Sequence, residues 1–153
     1  MRVWRICRRS HAIDPLGGRG GLYAPGRWHP RGVRIVYTSS ALSLAALELL
    51  VRLDRDLLPS DLVQMELDLP DDLREERIEA AALPSAWRRY PAPAALQRIG
   101  AAWLARGTTA ILRVPSAVIP EEDNYLLNPM HPAIERVQVV GRRAFILDRR
   151  LGR

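Results

Sequence analysis

The sequence predicts an α+β fold: a single domain over residues 1–153 with a mixed, mainly antiparallel sheet and a few helices. Short alternating or β-branched runs recur along the chain and outnumber helical ones. Two segments have the length and composition of helices, and no repeat, low-complexity tract or linker divides the sequence. A chain of 153 residues is also long enough to bury a core of its own.

Taken in order, "RVWRIC" alternates apolar residues with arginine, the period of a half-buried strand. Residues 14–32, "DPLGGRGGLYAPGRWHPRG", contain six glycines and three prolines and read as loop. "RIVYTS" is β-branched and aromatic, a short strand running through Ser39 or Ser40 as N-cap into the helix "ALSLAALELLVRL". That helix is apolar nearly all round, as expected of one packed on two sides. "DLVQMELDL" alternates again and reads as a strand. "PDDLREERIEAAALPSAWRRYPAP" is ambiguous, part helix or short strand and then a proline-rich connection. "APAALQRIGAAWLARG" is the second helix, ended by Gly107. "TTAILRVPS" is a strand stopped at Pro115, and "AVIPEEDNYLLNPMHPAIER" reads as irregular or extended. "VQVVGRRAFILD" reads as a hairpin turning at Gly141.

Composition narrows the function. The hydrophobic fraction of 48% is that of a globular protein, and no apolar run reaches the roughly 20 residues of a bilayer span. The N-terminal stretch has charge but no apolar segment after it, so no secretion signal is expected. The one cysteine, Cys7, excludes an internal disulfide and suits a reducing cytoplasm, where the protein is expected; as a residue it reads as a small buried hydrophobe. The formal charge is +6, and all 23 basic residues are arginine. That excess favours an anionic partner. The arginines are nevertheless spread along the chain and aromatics are 6%, which argues against a nucleic-acid footprint. His11, His29 and His131 lack metal-ligand spacing, so no metal is expected. "GGRGG" precedes no helix, so a Rossmann-type dinucleotide fingerprint is absent.

One carboxylate stands out. Glu48 shares a helix face with Ala41, Leu44, Ala45 and Arg52. Two readings stay open: an i,i+4 ion pair with Arg52 on a solvated edge, or a carboxylate lowered into a cleft between helix and sheet. Upstream, Arg27 sits in a Gly/Pro-rich turn before a strand, where a guanidinium can make bidentate contacts to phosphate or remain a surface arginine. Trp28 beside it reads as core or as a lid.

The run "GRWHPRGVRIVYTSSALSLAALE" resembles the signature of the RES domain, the toxin partner in RES–Xre type II toxin–antitoxin pairs. It has the arginine of the Gly-Arg-aromatic turn (Arg27), a tyrosine in the next strand (Tyr37) and a helix ending on glutamate (Glu48). "ILRVPSAVIPEEDNYLLNPMHP" resembles the second family block, which supplies Ser116, Asn124 and Asn128. His29 departs from the pattern, where asparagine is commoner.

The resemblance implies an ADP-ribosyltransferase-like fold and an enzyme that degrades NAD at the nicotinamide–ribose bond, by hydrolysis or phosphorolysis. NAD would be a substrate, with inorganic phosphate as a possible second one, and no cofactor is required. Glu48, Arg27, Tyr37 and Ser116 would be catalytic. Arg27, Trp28, Tyr37, Ser116, Asn124 and Asn128 would contact substrate: Arg27 on the pyrophosphate, Tyr37 on nicotinamide or ribose, Ser116 orienting substrate or nucleophile, Asn124 on a loop or the nicotinamide amide. An Xre-type antitoxin would cover the cleft in a hetero-oligomer and reach DNA on the toxin's behalf. The rival enzyme is a mono-ADP-ribosyltransferase acting on a host protein, and the non-enzymatic rival is a basic nucleic-acid-binding module.

Overall fold

The computed structural model describes residues 1–54 and 57–152. Its elements run β1 (Arg2–Arg8), α1 (Arg9–Ala12), α2 (Gly20–Tyr23), β2 (Val36–Ser39), α3 (Leu42–Leu50), β3 (Leu62–Asp68), β4 (Glu75–Arg77), α4 (Ala94–Arg106), β5 (Ile111–Pro115), β6 (Asp123–Leu127) and β7 (Gln138–Ala144). Among the described residues the strands form a seven-stranded sheet in the order β4-β5-β6-β2-β1-β3-β7. Every pairing is antiparallel except β4 with β5. The predicted α+β class with a mixed, mainly antiparallel sheet is the observed one.

The pleat of the central strands feeds two cores. Ile111, Tyr125 and Leu127 point to one face and pack with Val3, Val36, Met65 and Leu67. Leu112, Val114 and Leu126 point to the other and pack with Trp28, Trp87, Leu96 and Trp103 of the loops and α4. β5 and β6 are therefore buried on both faces, which is why their sequences are nearly continuous apolar runs. Helix α4 ends at Gly107, whose φ of 58° gives the left-handed cap the sequence predicts. Its Gly100 is a contact point: a Cβ there would stand 1.7 Å from the Trp28 carbonyl oxygen, so α4 reaches the "GRWHP" turn only because that position has no side chain. Gln97 Nε2 donates to Gly26 O at 3.0 Å on the same face.

Four local expectations are corrected. The residue that opens α3 is Ala41, extended and without a side-chain cap, because Ser39 is used within β2. The stretch after Pro115 contains β6 in mid-sheet: its apolar "YLL" finds strands on both sides. The predicted hairpin at Gly141 is one strand, β7, whose partner is β3. Gly141 faces Glu66 and Val139 faces Leu67, so Val140 is the extra residue of a bulge, and the local irregularity that reads as a turn is this bulge. The glycine-rich loop also contains one short helix, α2. No described helix is long and apolar enough to cross a membrane.

Candidate active site

Three neighbouring strands bring side chains to one place under α3. Ser39 of β2 pairs in register with Trp4 of β1 on one side and Asn124 of β6 on the other, so a single rung of the sheet carries all three. β5 ends at Pro115, which places Ser116 beside this rung, and Ser116 is fully buried. Helix α3 packs Leu44 and Ala45 onto β1 and β2, and that packing turns Glu48 toward the sheet.

Glu48 is then held by one oxygen. Ser116 Oγ donates to Oε1 at 2.8 Å, and Asn124 Nδ2 donates to the same atom at 2.6 Å. Asn124 is fixed in turn by Ser39 Oγ, which donates to its Oδ1 at 2.8 Å. Ser116 Oγ also accepts from the backbone N–H groups of Val118 and Ile119, each at 3.1 Å. The second carboxylate oxygen, Oε2, has Arg52 Nη2 at 3.8 Å, beyond hydrogen-bond distance. With its side chain 16% exposed, Glu48 combines a gripped oxygen with one turned to a cleft. Both readings of Glu48 thus meet: it has an Arg52 neighbour and lies in a cleft.

The cleft has two chambers. The first, about 90 Å³, is lined by Trp4, Ile6, Tyr37, Ser39, Glu48, Asn124 and Arg52, among others. The second, about 240 Å³, lies against the glycine-rich loop, His29 and Ile35. Arg5, Ile6, Tyr37 and Arg52 belong to both.

Tyr37 is locked in place. His29 Nε2 faces the Ala24 carbonyl at 3.0 Å, an acceptor only, so the proton sits on Nε2 and Nδ1 accepts from the Tyr37 hydroxyl at 2.7 Å. The phenol oxygen accepts in turn from Trp28 N–H at 3.2 Å. Burial pushes the His29 pKa down, which keeps the imidazole neutral, and pushes the Tyr37 phenol up, which keeps it protonated. Gly26 is required beside this pair, since a Cβ there would stand 2.6 Å from His29 and 2.7 Å from the Tyr37 hydroxyl. What Tyr37 offers the cleft is its ring, over which Arg52 lies at 5.6 Å.

Arg27 donates from Nη1 to the carbonyls of Trp87 at 2.6 Å and Arg89 at 3.1 Å, pinning the connection that leads to α4. Burial lowers its pKa, and the charge of Glu48 acts against that fall. The guanidinium is thus partly spent on the protein's own loop. Arg27, Trp28, Ser116 and Asn128 do not line either chamber. Trp28 is 2% exposed in the α4-side core, and Asn128 is buried with its Oδ1 accepting from Met130 N. Aromatic bulk draws the first into the core, and a turn after β6 uses the second. Trp4, Ile6, Ser39, Arg5 and Arg52 were missed as cleft residues. A signal existed: Trp4 and Ile6, like Tyr37 and Ser39, lie two apart on strands and so share a face. No group of three His, Cys, Asp or Glu able to hold a metal occurs among the described residues.

Comparison with known proteins places the chain in a family. The RES domain family model matches residues 2–148. The chain is 36% identical over 152 residues to the Prs ADP-ribosylating toxin of Sphingobium sp. (strain YBL2), covering 97% of this chain and 94% of that protein. It is 32% identical over 152 residues to Toxin Res of Photorhabdus laumondii, covering 99% and 97%. Among solved structures, the crystal structure of the M. tuberculosis MbcT-MbcA toxin-antitoxin complex contains a chain of the same fold, with TM-score 0.77 and 14% identity over 94% of this chain and 83% of that one. The chain therefore belongs to the RES domain family.

Proposed function

We propose that this protein is the toxin of a bacterial type II toxin–antitoxin pair and that it degrades NAD by cleaving the nicotinamide–ribose bond. The observation that carries the chemistry is the grip on Glu48: two donors fix Oε1 while Oε2 is left to the cleft. In the reaction the bond between the ribose anomeric carbon and the nicotinamide nitrogen breaks. Its electron pair leaves with nicotinamide, and the ribose passes through an oxocarbenium-like state. A fixed carboxylate beside that carbon stabilises the developing positive charge without reorganising. Water or phosphate then attacks the same carbon, giving ADP-ribose or its 1″-phosphate, and the proton lost comes from the attacking group. The Tyr37 ring is the wall on which a planar nicotinamide stacks, and the free edge of Arg27 meets the pyrophosphate. Ser116 and Asn124 act by holding Glu48. An antitoxin partner follows from the relatives named as toxins and from the toxin–antitoxin complex that shares the fold; the expectation of the Xre type rests on the RES–Xre resemblance.

The test is NAD consumption by purified protein, with and without inorganic phosphate, products identified by mass. Free nicotinamide with ADP-ribose means hydrolysis, and the 1″-phosphate means phosphorolysis. Intact NAD in both reactions with folded protein overturns the reading. A second reading, transfer of ADP-ribose to a host protein, is favoured by the printed name of the Sphingobium relative. It predicts label from adenylate-labelled NAD on a protein band when extract is added.

A further inference from the structure

The position of Arg52 is not explained by its pairing with Glu48. At 3.8 Å, with the arginine side chain 54% exposed, that pair contributes little. Yet Arg52 stands on the wall shared by both chambers, with its guanidinium over the Tyr37 ring. The first chamber contains Glu48. The second has no carboxylate in its lining; it has the glycine-rich loop, a neutral His29 and two guanidinium groups, Arg5 and Arg52. Arg5 is tethered, since its Nη1 donates to Pro15 O at 3.0 Å. Among the described residues Arg52 has the long contact to Oε2 and the ring face, so it can swing. A chamber with two cations and no acid on its wall suits an anion.

We propose that Arg52 is a specificity-determining residue that exchanges Glu48 for a phosphate of the substrate. A phosphate seated in the second chamber draws the guanidinium to itself, which holds a charged ligand with its ribose toward the open Oε2. This inference rests on the NAD-cleaving reading and extends it. Nicotinamide riboside has the same scissile bond and no phosphate, so it lacks the contact to Arg52 and is a poor substrate.

The experiment compares kcat/KM for NAD and nicotinamide riboside in the wild type and in Arg52→Gln, alongside calorimetric binding of ADP-ribose to both. A lost charge-assisted contact corresponds to about tenfold to a hundredfold. The preference for NAD over the riboside should fall at least about tenfold in the variant, and ADP-ribose should bind about tenfold more weakly. Arg52→Lys, which keeps the charge and loses the fork, should lie between and serves if the glutamine variant melts early. Wild-type cleavage of NAD with an unchanged preference in a folded variant overturns the inference and leaves the NAD reading standing. ADP-ribose binding that weakens in the variant, in a protein that never consumes NAD, overturns the NAD reading and keeps the anion site. A wild type that neither consumes NAD nor binds ADP-ribose overturns both.

Discussion

Glu48→Gln changes charge while keeping shape, and the structure sets what each half of that change should do. The amide oxygen can occupy the Oε1 position and accept from both Ser116 and Asn124, which places the amide nitrogen where Oε2 faces the cleft. Two charge-assisted bonds become neutral ones, each losing about half its strength, or about 2 kcal/mol together. Relief from holding a carboxylate out of water offsets part of that, so the melting temperature should fall by less than about 8 °C. Activity should fall far more. A carboxylate about 4 Å from a developing positive charge is worth about 4 kcal/mol at an effective dielectric constant of about 20. That is about a thousandfold in rate. The assay is nicotinamide release at saturating NAD, with circular dichroism and a thermal melt on the same sample. A folded variant that stays within about tenfold of the wild type refutes the electrostatic role of Glu48.

Three further outcomes follow from particular contacts. Ser116→Ala removes a donor to Glu48 and the acceptor of two backbone N–H groups, and should cost about 1–3 kcal/mol in urea unfolding and about tenfold or more in kcat; an unaltered kcat would mean Asn124 alone organises the carboxylate. Gly100→Ala drives a Cβ to 1.7 Å from the Trp28 carbonyl and should destabilise by about 3 kcal/mol or more, read from the unfolding midpoint; a neutral effect would contradict the close approach of α4. His29 has a folded-state pKa below its ordinary 6.5, so the unfolded chain binds its proton first as pH falls. Its contribution is therefore complete above about pH 6.5 and is lost as pH drops through the lower folded value, and His29→Asn should flatten that part of the stability curve. Asp61, Asp72, Glu76 and Asp148, whose pKa values are lowered mainly by hydrogen bonds to Arg8, Arg136, Thr108 and Arg150 respectively, act in a separate window below the ordinary carboxylate values.

Period and punctuation made most strands and both long helices readable, because a half-buried strand and a capped helix carry local signals. Gly107 is a local fact, and so is the alternation of β1 and β3. β6 was not legible as mid-sheet, since its apolar stretch between prolines depends on β2 and β5, which lie far off in sequence. β7 reads as a hairpin for the same reason: a bulge and a turn look alike until the partner strand is known. In the site, residue types announced Glu48, whose polarity conflicts with its helix. Ser39 gave no such conflict, because a serine before a helix already has an ordinary explanation as a cap. Motif named Trp28 and Asn128, while their burial and the hydrogen bond from Met130 N to Asn128 Oδ1 depend on contacts that no local pattern shows.

The two donors that fix Glu48 lie 68 and 76 positions after it in sequence, and the later one is on β6. A ribosome delivers the chain from the N-terminus at about 5–20 residues per second. The helix with Glu48 therefore emerges well before Asn124 exists. Until then the carboxylate has neither of its two donors, and an interrupted product ending before residue 116 can never acquire them. The fixed carboxylate therefore forms only after the strands that carry its donors have been made, and a chain cut short of residue 116 lacks it.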